Sequence, residues 1–212
     1  MSMSANPAGT NARLRWIGAG LALISLGALL SHVFGPLPMV YFLSFFGVPS
    51  VLAIFLMAAY ARRIKASVFL NCLAVGLAGG LIGTLAYDAV RWVLTNSGVF
   101  DYNGFYAIMV FGSWITGMEP NEPPAIVAGW LYHFWNGLSF GVFYALTFGR
   151  RHWAYGVLYG LLMEACMLGL FPMFLKVTNR YDFIMLSLIG HVFYGLGLGL
   201  YAQRFGKNWS DA

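Results

Sequence analysis

Along the chain, long apolar stretches alternate with short polar interruptions. Six stretches are long enough to cross a bilayer, at about 16–34, 39–60, 67–95, 125–148, 153–175 and 183–203. They run from 19 to 29 residues, and a helix needs about 20 apolar residues to span the hydrocarbon. In lipid every backbone N–H and C=O must be satisfied within its own segment, which selects helices. Strands of a membrane barrel would be about 10 residues long and would alternate in polarity. These stretches do neither. The pattern predicts an all-α, polytopic membrane helical bundle of six transmembrane helices, forming one membrane domain over residues 1–212.

A further apolar piece, Phe105 to Met118, has 14 residues. That is too short to span, so a re-entrant or interfacial segment is expected near 105–118. Pro120, Pro123 and Pro124 close the loop and keep it from running on as helix into the fourth span. The segment reads equally well as a lid over an outward-facing cavity or as a plain anchor. Pro49 is expected to kink the second span.

Charge adds orientation. Arg13 and Arg15 precede the first span, and Arg62, Arg63 and Lys65 join the second to the third. Arg150 and Arg151 join the fourth to the fifth, and Arg204 and Lys207 follow the sixth. With six crossings all nine fall on one side. The other side holds Asp101, Glu119, Glu122 and Asp182, with Lys176 and Arg180. Basic loops stay in the cytoplasm, so both termini are expected there. A multi-pass protein of the cell inner membrane follows, with the lipid bilayer as its first partner.

Composition sharpens the exclusions. Hydrophobic residues make up 60% and charged residues 9%, against about 25% charged in soluble domains. That excludes a soluble enzyme, a disordered chain and a disulfide scaffold. The net charge of +5 does not imply nucleic acid, because too few polar residues exist to build such a surface. Cys72 and Cys166 both lie in apolar stretches at different depths, so no disulfide is expected between them. The polar first 15 residues and the following apolar run resemble the start of a signal peptide. The run is long and lacks a small-residue cleavage site, so it reads as a retained first span.

Glycines recur four apart: Gly76 and Gly80, Gly79 and Gly83, Gly137 and Gly141, Gly156 and Gly160, Gly195 and Gly199. Such spacing lets helix backbones approach closely in lipid. Two stretches also match each other. His133 to Gly141 and His191 to Gly199 both read His-x-x-x-Gly-x-x-x-Gly. The match suggests a hairpin repeat, 67–148 and 153–203.

Ionisable residues inside spans are expensive and need a reason. They are Asp88 and Arg91 in the third span, His133 in the fourth, Glu164 in the fifth and His191 in the sixth. Asn136 lies one turn below His133, and His32 near the outer end of the first span. The helical rise puts Asp88 about 10 Å, the two histidines about 12 Å and Glu164 about 17 Å below the outer helix ends. Four groups on four helices thus share the outer half of the bilayer.

Two imidazoles and two carboxylates can ligate a divalent metal, with His133, His191, Glu164 and Asp88 as ligands to zinc or iron. They can also perform acid–base chemistry, with Glu164, Asp88 and Asn136 as the catalytic set. Two histidines can in principle hold a haem, with glycine one turn below each leaving room for the macrocycle. The bland alternative is that Asp88 neutralises Arg91 three residues on, and that each histidine bonds a backbone carbonyl or a tyrosine. His152 reads as surface. Gly137-Leu-Ser139-Phe-Gly141 fits a hydrolase pattern, but that motif needs a strand–turn–helix elbow and this one lies mid-helix.

Three functional readings stand. One is a membrane enzyme using metal or acid–base chemistry on a lipophilic small molecule. The second is a small transporter of an ion, proton or solute. The third is a non-catalytic subunit bound to other membrane subunits.

Overall fold

The computed structural model describes the backbone of residues 7–174 and 180–211, and the side chains of residues 11–169 and 181–210. Lys176, the side chain of Arg180 and the far end of the expected fifth span lie outside the described residues. All regular structure among the described residues is helical. Helices α1 (Pro7–Ala22) and α2 (Ile24–Phe34) run almost continuously through Leu23. Helix α3 (Met39–Phe42) leads through a π-helical turn, Leu43–Gly47, into α4 (Val48–Arg63). Then come α5 (Ser67–Asn96), the short α6 (Tyr106–Thr116), α7 (Pro123–Phe148), α8 (Ala154–Phe174) and α9 (Arg180–Phe205). A 3-10 turn, Trp209–Asp211, follows.

Four helices are long and apolar enough to cross a membrane: Asn11–Phe34, Met39–Arg63, Ser67–Asn96 and Tyr181–Phe205. Helix α7 has the length, 26 residues and no charge, but its polar and aromatic side chains, His133 and Asn136 among them, lower its mean hydropathy. Helix α8 is apolar over Ala154–Gly169, the part whose side chains are described. The expected break at Pro49 takes the form of the π-helical turn just before it. Proline lacks the N–H that the carbonyl of Phe45 would receive, and a wider turn relieves the crowding.

Helix α5 is the centre of the bundle, and its glycines explain why. A Cβ on Gly76 would meet the backbone of Gly141 and Val142, and one on Gly80 that of Gly137 and Gly141. A quarter-turn round the helix, Gly79 and Gly83 abut Leu198 and Tyr194 of α9. One helix thus offers two smooth faces to two neighbours. The same contact recurs between α8 and α9, where Gly156 lies on Gly195 and Gly199, and Gly160 on His191 and Gly195. In lipid, packing at short range replaces the hydrophobic drive between helices. Helix α4 lacks such faces. Only 17% of its apolar window is buried, against 56% for α5.

The expected segment near 105–118 contains α6, which is 11 residues and about 16 Å long by the helical rise. It packs on α7 through Gly112, set against Ala125, and through Ile108, set against Gly129. Gly117 ends it with a positive φ of 73°, a conformation that suits glycine.

Gly195→Ala should lower the thermal unfolding midpoint in detergent, because the new methyl falls on the carbonyl of Gly156 and overpacking costs about 1–3 kcal/mol. Gly20→Ala, where nothing lies within 4 Å, should leave it unchanged. Equal midpoints for the two variants would refute the close contact.

Candidate functional site

Four helices bring their polar residues to one level. Helix α5 carries Thr84, Tyr87, Asp88 and Arg91 on a face with the three- and four-residue spacing of helical neighbours. Asp88 accepts from His133 Nε2 of α7 at 2.9 and 3.0 Å. Its Oδ1 also accepts from Arg91 Nη2 at 3.2 Å. On the other side, Glu164 of α8 lies 2.8 Å from Nδ1 of His191 on α9. Ser187 Oγ donates to the same oxygen, Oε2, at 2.7 Å. The site thus contains two separate carboxylate–imidazole pairs.

Tyr87 stands between the pairs. Its ring is 5.0 Å from that of His191, edge-on at 73°, and 6.1 Å from that of His133. Arg91 covers the other face of the assembly. Its guanidinium sits 4.3 Å from the Tyr87 ring centre and 4.6 Å from that of Phe105, and its Nη1 donates to the Tyr87 hydroxyl at 3.2 Å. A cation held between two rings keeps favourable electrostatics after losing its water. Trp130 stacks edge-on over His133 at 5.6 Å and touches Phe105. The loop before α6 therefore roofs the site.

Hydrogen bonding fixes the histidine tautomers. His191 Nδ1 also faces the Ser187 carbonyl at 2.9 Å. A carbonyl can only accept, so Nδ1 carries the proton and Nε2 is left to take or release another. His133 is arranged the other way, with Nε2 on Asp88. In each pair a carboxylate orients an imidazole and stabilises its cation, an arrangement suited to proton exchange.

Below Tyr87 lies a cavity of about 80 Å³, lined by His133, Asn136, His191, Thr84 and Tyr194 among others. It has room for a few waters at about 10–15 Å³ each, and it is far too small for a haem. Two buried acceptors have no partner among the described residues, Asn136 Oδ1 in the cavity wall and Glu164 Oε1 behind His191. Glu164 is 1% exposed. Orphaned buried acceptors carry a desolvation cost of about 1–3 kcal/mol, and more for a charge.

Of the residues expected to share one depth, His133, Asn136 and His191 line the cavity, and Asp88 and Glu164 reach it only through the imidazoles they bind. They do not form a shared coordination sphere, because each carboxylate is engaged by its own imidazole across the Tyr87 ring. Among the described residues no three His, Cys, Asp or Glu side chains come together as a metal-ligand group, so the metal-binding reading finds no support. His32 belongs elsewhere. Its Nδ1 accepts from Met39 N–H at 3.3 Å and its ring lies 4.4 Å from that of Trp114, which ties the α2–α3 turn to α6. Tyr87 and Ser187 were missed by sequence reasoning. Their spacing held the signal, since Tyr87 is one turn from Arg91 and Ser187 one turn from His191.

A family model matches residues 70–210. The chain belongs to a family of unknown function, DUF6789. The matched region runs from the first turn of α5 through α9 and contains both carboxylate–imidazole pairs, while α1 to α4 lie outside it. No curated protein and no solved structure matches the chain.

Asp88→Asn should destabilise the protein by about 3 kcal/mol, because Arg91 is left as an uncompensated buried cation. Asp88→Asn combined with Arg91→Met should recover part of that loss, as read by thermal unfolding in detergent. A double variant no more stable than the single one would show that Arg91 does not depend on Asp88.

Proposed function

We propose that this chain is a multi-pass protein of the cell membrane that binds and exchanges protons at the paired carboxylate–imidazole site, as a small proton-dependent transporter. Six crossings, with both termini in the cytoplasm, fit the charge asymmetry. The arginines within α1, at the end of α4 and before α8 lie on one side under that reading, and the acidic loops on the other. Helix α6 is then a segment on the outer face that roofs the site without crossing.

The observation that carries the reading is the Glu164–His191 pair. It is almost wholly buried, yet Glu164 keeps one oxygen without a partner, and His191 lines a cavity of water size. A purely structural pair would be expected to satisfy both oxygens, since a half-satisfied polar group in hydrocarbon is costly. Water in the cavity can deliver a proton to His191 Nε2, and Glu164 stabilises the resulting imidazolium. Asp88 and His133 offer a second exchange position across Tyr87. The transported partner would be small, a proton alone or a proton with a small polar solute.

The enzyme reading has less support. The large apolar groove, about 460 Å³, is lined by Trp135, Leu138, Ser139 and Val142 of α7. The cavity lined by both imidazoles uses Tyr132, His133, Asn136 and Gly137 of the same helix, which point the opposite way. A lipophilic molecule in the groove would therefore not reach either imidazole. The corresponding glycine contacts of α5–α7 and α8–α9 also favour reading the two hairpins as a repeat.

Two measurements test this. In liposomes loaded with a pH-sensitive dye and clamped with potassium and valinomycin, the full chain should pass protons down a pH gradient. Glu164→Gln should fall to the level of empty liposomes while eluting as a folded protein. Wild-type flux no greater than that of empty liposomes, or undiminished flux through Glu164→Gln, would leave the pairs as interhelical bonds only. For topology, Cys72 and Cys166 are replaced and single cysteines introduced. An impermeant thiol reagent added outside cells should label Asn103→Cys and spare Arg63→Cys; the reverse pattern inverts the orientation.

A further inference from the structure

At the opposite end of the bundle from the paired site, the α7–α8 connection and the C-terminal segment enclose an open cup of about 620 Å³. We propose that this cup binds the phosphate group of an anionic ligand.

The cup is built, because the C-terminal segment is pinned down to form its wall. Arg150 N–H donates to the Lys207 carbonyl at 3.1 Å. Lys207 N–H donates to Asn71 Oδ1 at 2.8 Å, and Asn71 Nδ2 donates to the Phe205 carbonyl at 3.0 Å. Trp209 then lies over Arg15, 5.0 Å from the guanidinium to the ring centre. Arg15 is itself fixed. Its Nε donates to the Leu146 carbonyl at 2.8 Å and its Nη2 to that of Thr147, so it caps the carbonyl end of α7 where a cation is favoured.

What lines the cup is rich in donors. Arg15, Arg150 and Arg151 bring three cations. His152 Nδ1 accepts from Ala154 N–H at 3.4 Å, which leaves Nε2–H of the neutral ring as a donor. Gln203 Oε1, an amide acceptor in the wall, is already engaged by Trp153 N–H at 2.7 Å. Among the described residues no carboxylate lines the cup or pairs with its arginines.

A second observation points to a ligand acceptor. Trp209 Nε1 is buried and has no hydrogen-bond partner among the described residues. This N–H, on the ring that lies over Arg15, and the guanidinium groups of Arg15, Arg150 and Arg151 in the same wall are complementary to a group with several acceptor oxygens and a negative charge. Phosphate supplies this, and arginine recognises it through paired N–H donors. Basic residues that serve only as topology signals would not need a wall of hydrogen-bonded chain around them. The phosphate can belong to a lipid headgroup or to a soluble compound.

The test uses the full chain in neutral detergent at low ionic strength. Its thermal unfolding is followed with inorganic pyrophosphate as one probe and phosphatidylglycerol added to the micelle as the other. A concentration-dependent rise in midpoint is expected with at least one probe. A rise with pyrophosphate assigns a soluble phosphate, and a rise with the lipid alone assigns a headgroup. Arg150→Gln with Arg151→Gln should abolish the rise, whereas Arg62→Gln with Arg63→Gln, exposed arginines at the same end, should keep it. Trp209→Phe retains the ring over Arg15 and removes only the N–H. It should weaken binding roughly tenfold, the value of one hydrogen bond to a charged group, and it serves if the double arginine variant fails to fold. The proposal is overturned by no rise with either probe, by a rise that survives Arg150→Gln with Arg151→Gln, by an equal loss in the Arg62→Gln and Arg63→Gln control, or by unchanged affinity in Trp209→Phe.

Discussion

The structure depends on backbone-to-backbone approach through glycine. Gly80 of α5 rests on Gly137 of α7, one turn from His133. Gly160 of α8 rests on the carbonyl of His191 itself. Both imidazoles are therefore positioned by the points where their helices come nearest. Side-chain hydrogen bonds of 2.8–3.0 Å between Asp88 and His133 and between Glu164 and His191 require helix axes close together. Larger residues at the contact would separate the axes, and short carboxylates could no longer span the gap. Packing and site chemistry thus share one cause.

Register explains the placement of the acids. Counting along the helices, Gly76 and Gly80 correspond to Gly156 and Gly160, so Thr84 corresponds to Glu164. Yet it is Asp88, one turn further on, that meets His133. The glycine contacts slip in the same sense. Gly80 meets Gly137 and Gly141, whereas Gly160 meets His191 and Gly195, one turn nearer the histidine. Slipping one hairpin by a turn moves the residue opposite its histidine by four positions. Each hairpin therefore has an acid at the rung where its own imidazole arrives, and Thr84 turns its hydroxyl to the Gly80 carbonyl at 2.8 Å instead.

This slip also marks what was legible in the sequence. The helical class, the boundaries of the apolar stretches and the grouping of basic loops were readable because length and charge are one-dimensional properties. The glycine faces were readable because four-residue spacing fixes a face. The common depth of Asp88, His133, Glu164 and His191 followed from the helical rise alone. Which acid meets which histidine was not readable, because hydropathy does not specify how far one helix slides along another. Tyr87 was hidden for a related reason. An aromatic residue in an apolar span carries no signal of its own until two imidazoles are known to flank it. The cup was hidden because its wall joins residues from distant parts of the chain, Arg15, Asn71, Arg150 and Trp209.

The two pairs are unequally held. Asp88 is shared between His133 and Arg91, and Arg91 is in turn clamped by Tyr87 and Phe105. Among the described residues no arginine or lysine pairs with Glu164. Its Oε2 meets His191 and the Ser187 hydroxyl, and its other oxygen has no partner there. Tyr87 is in contact with both rings and with Arg91, so the two pairs share one aromatic neighbour. Phe105 lies against Arg91 and Trp130 against His133, so the roof touches both partners of Asp88.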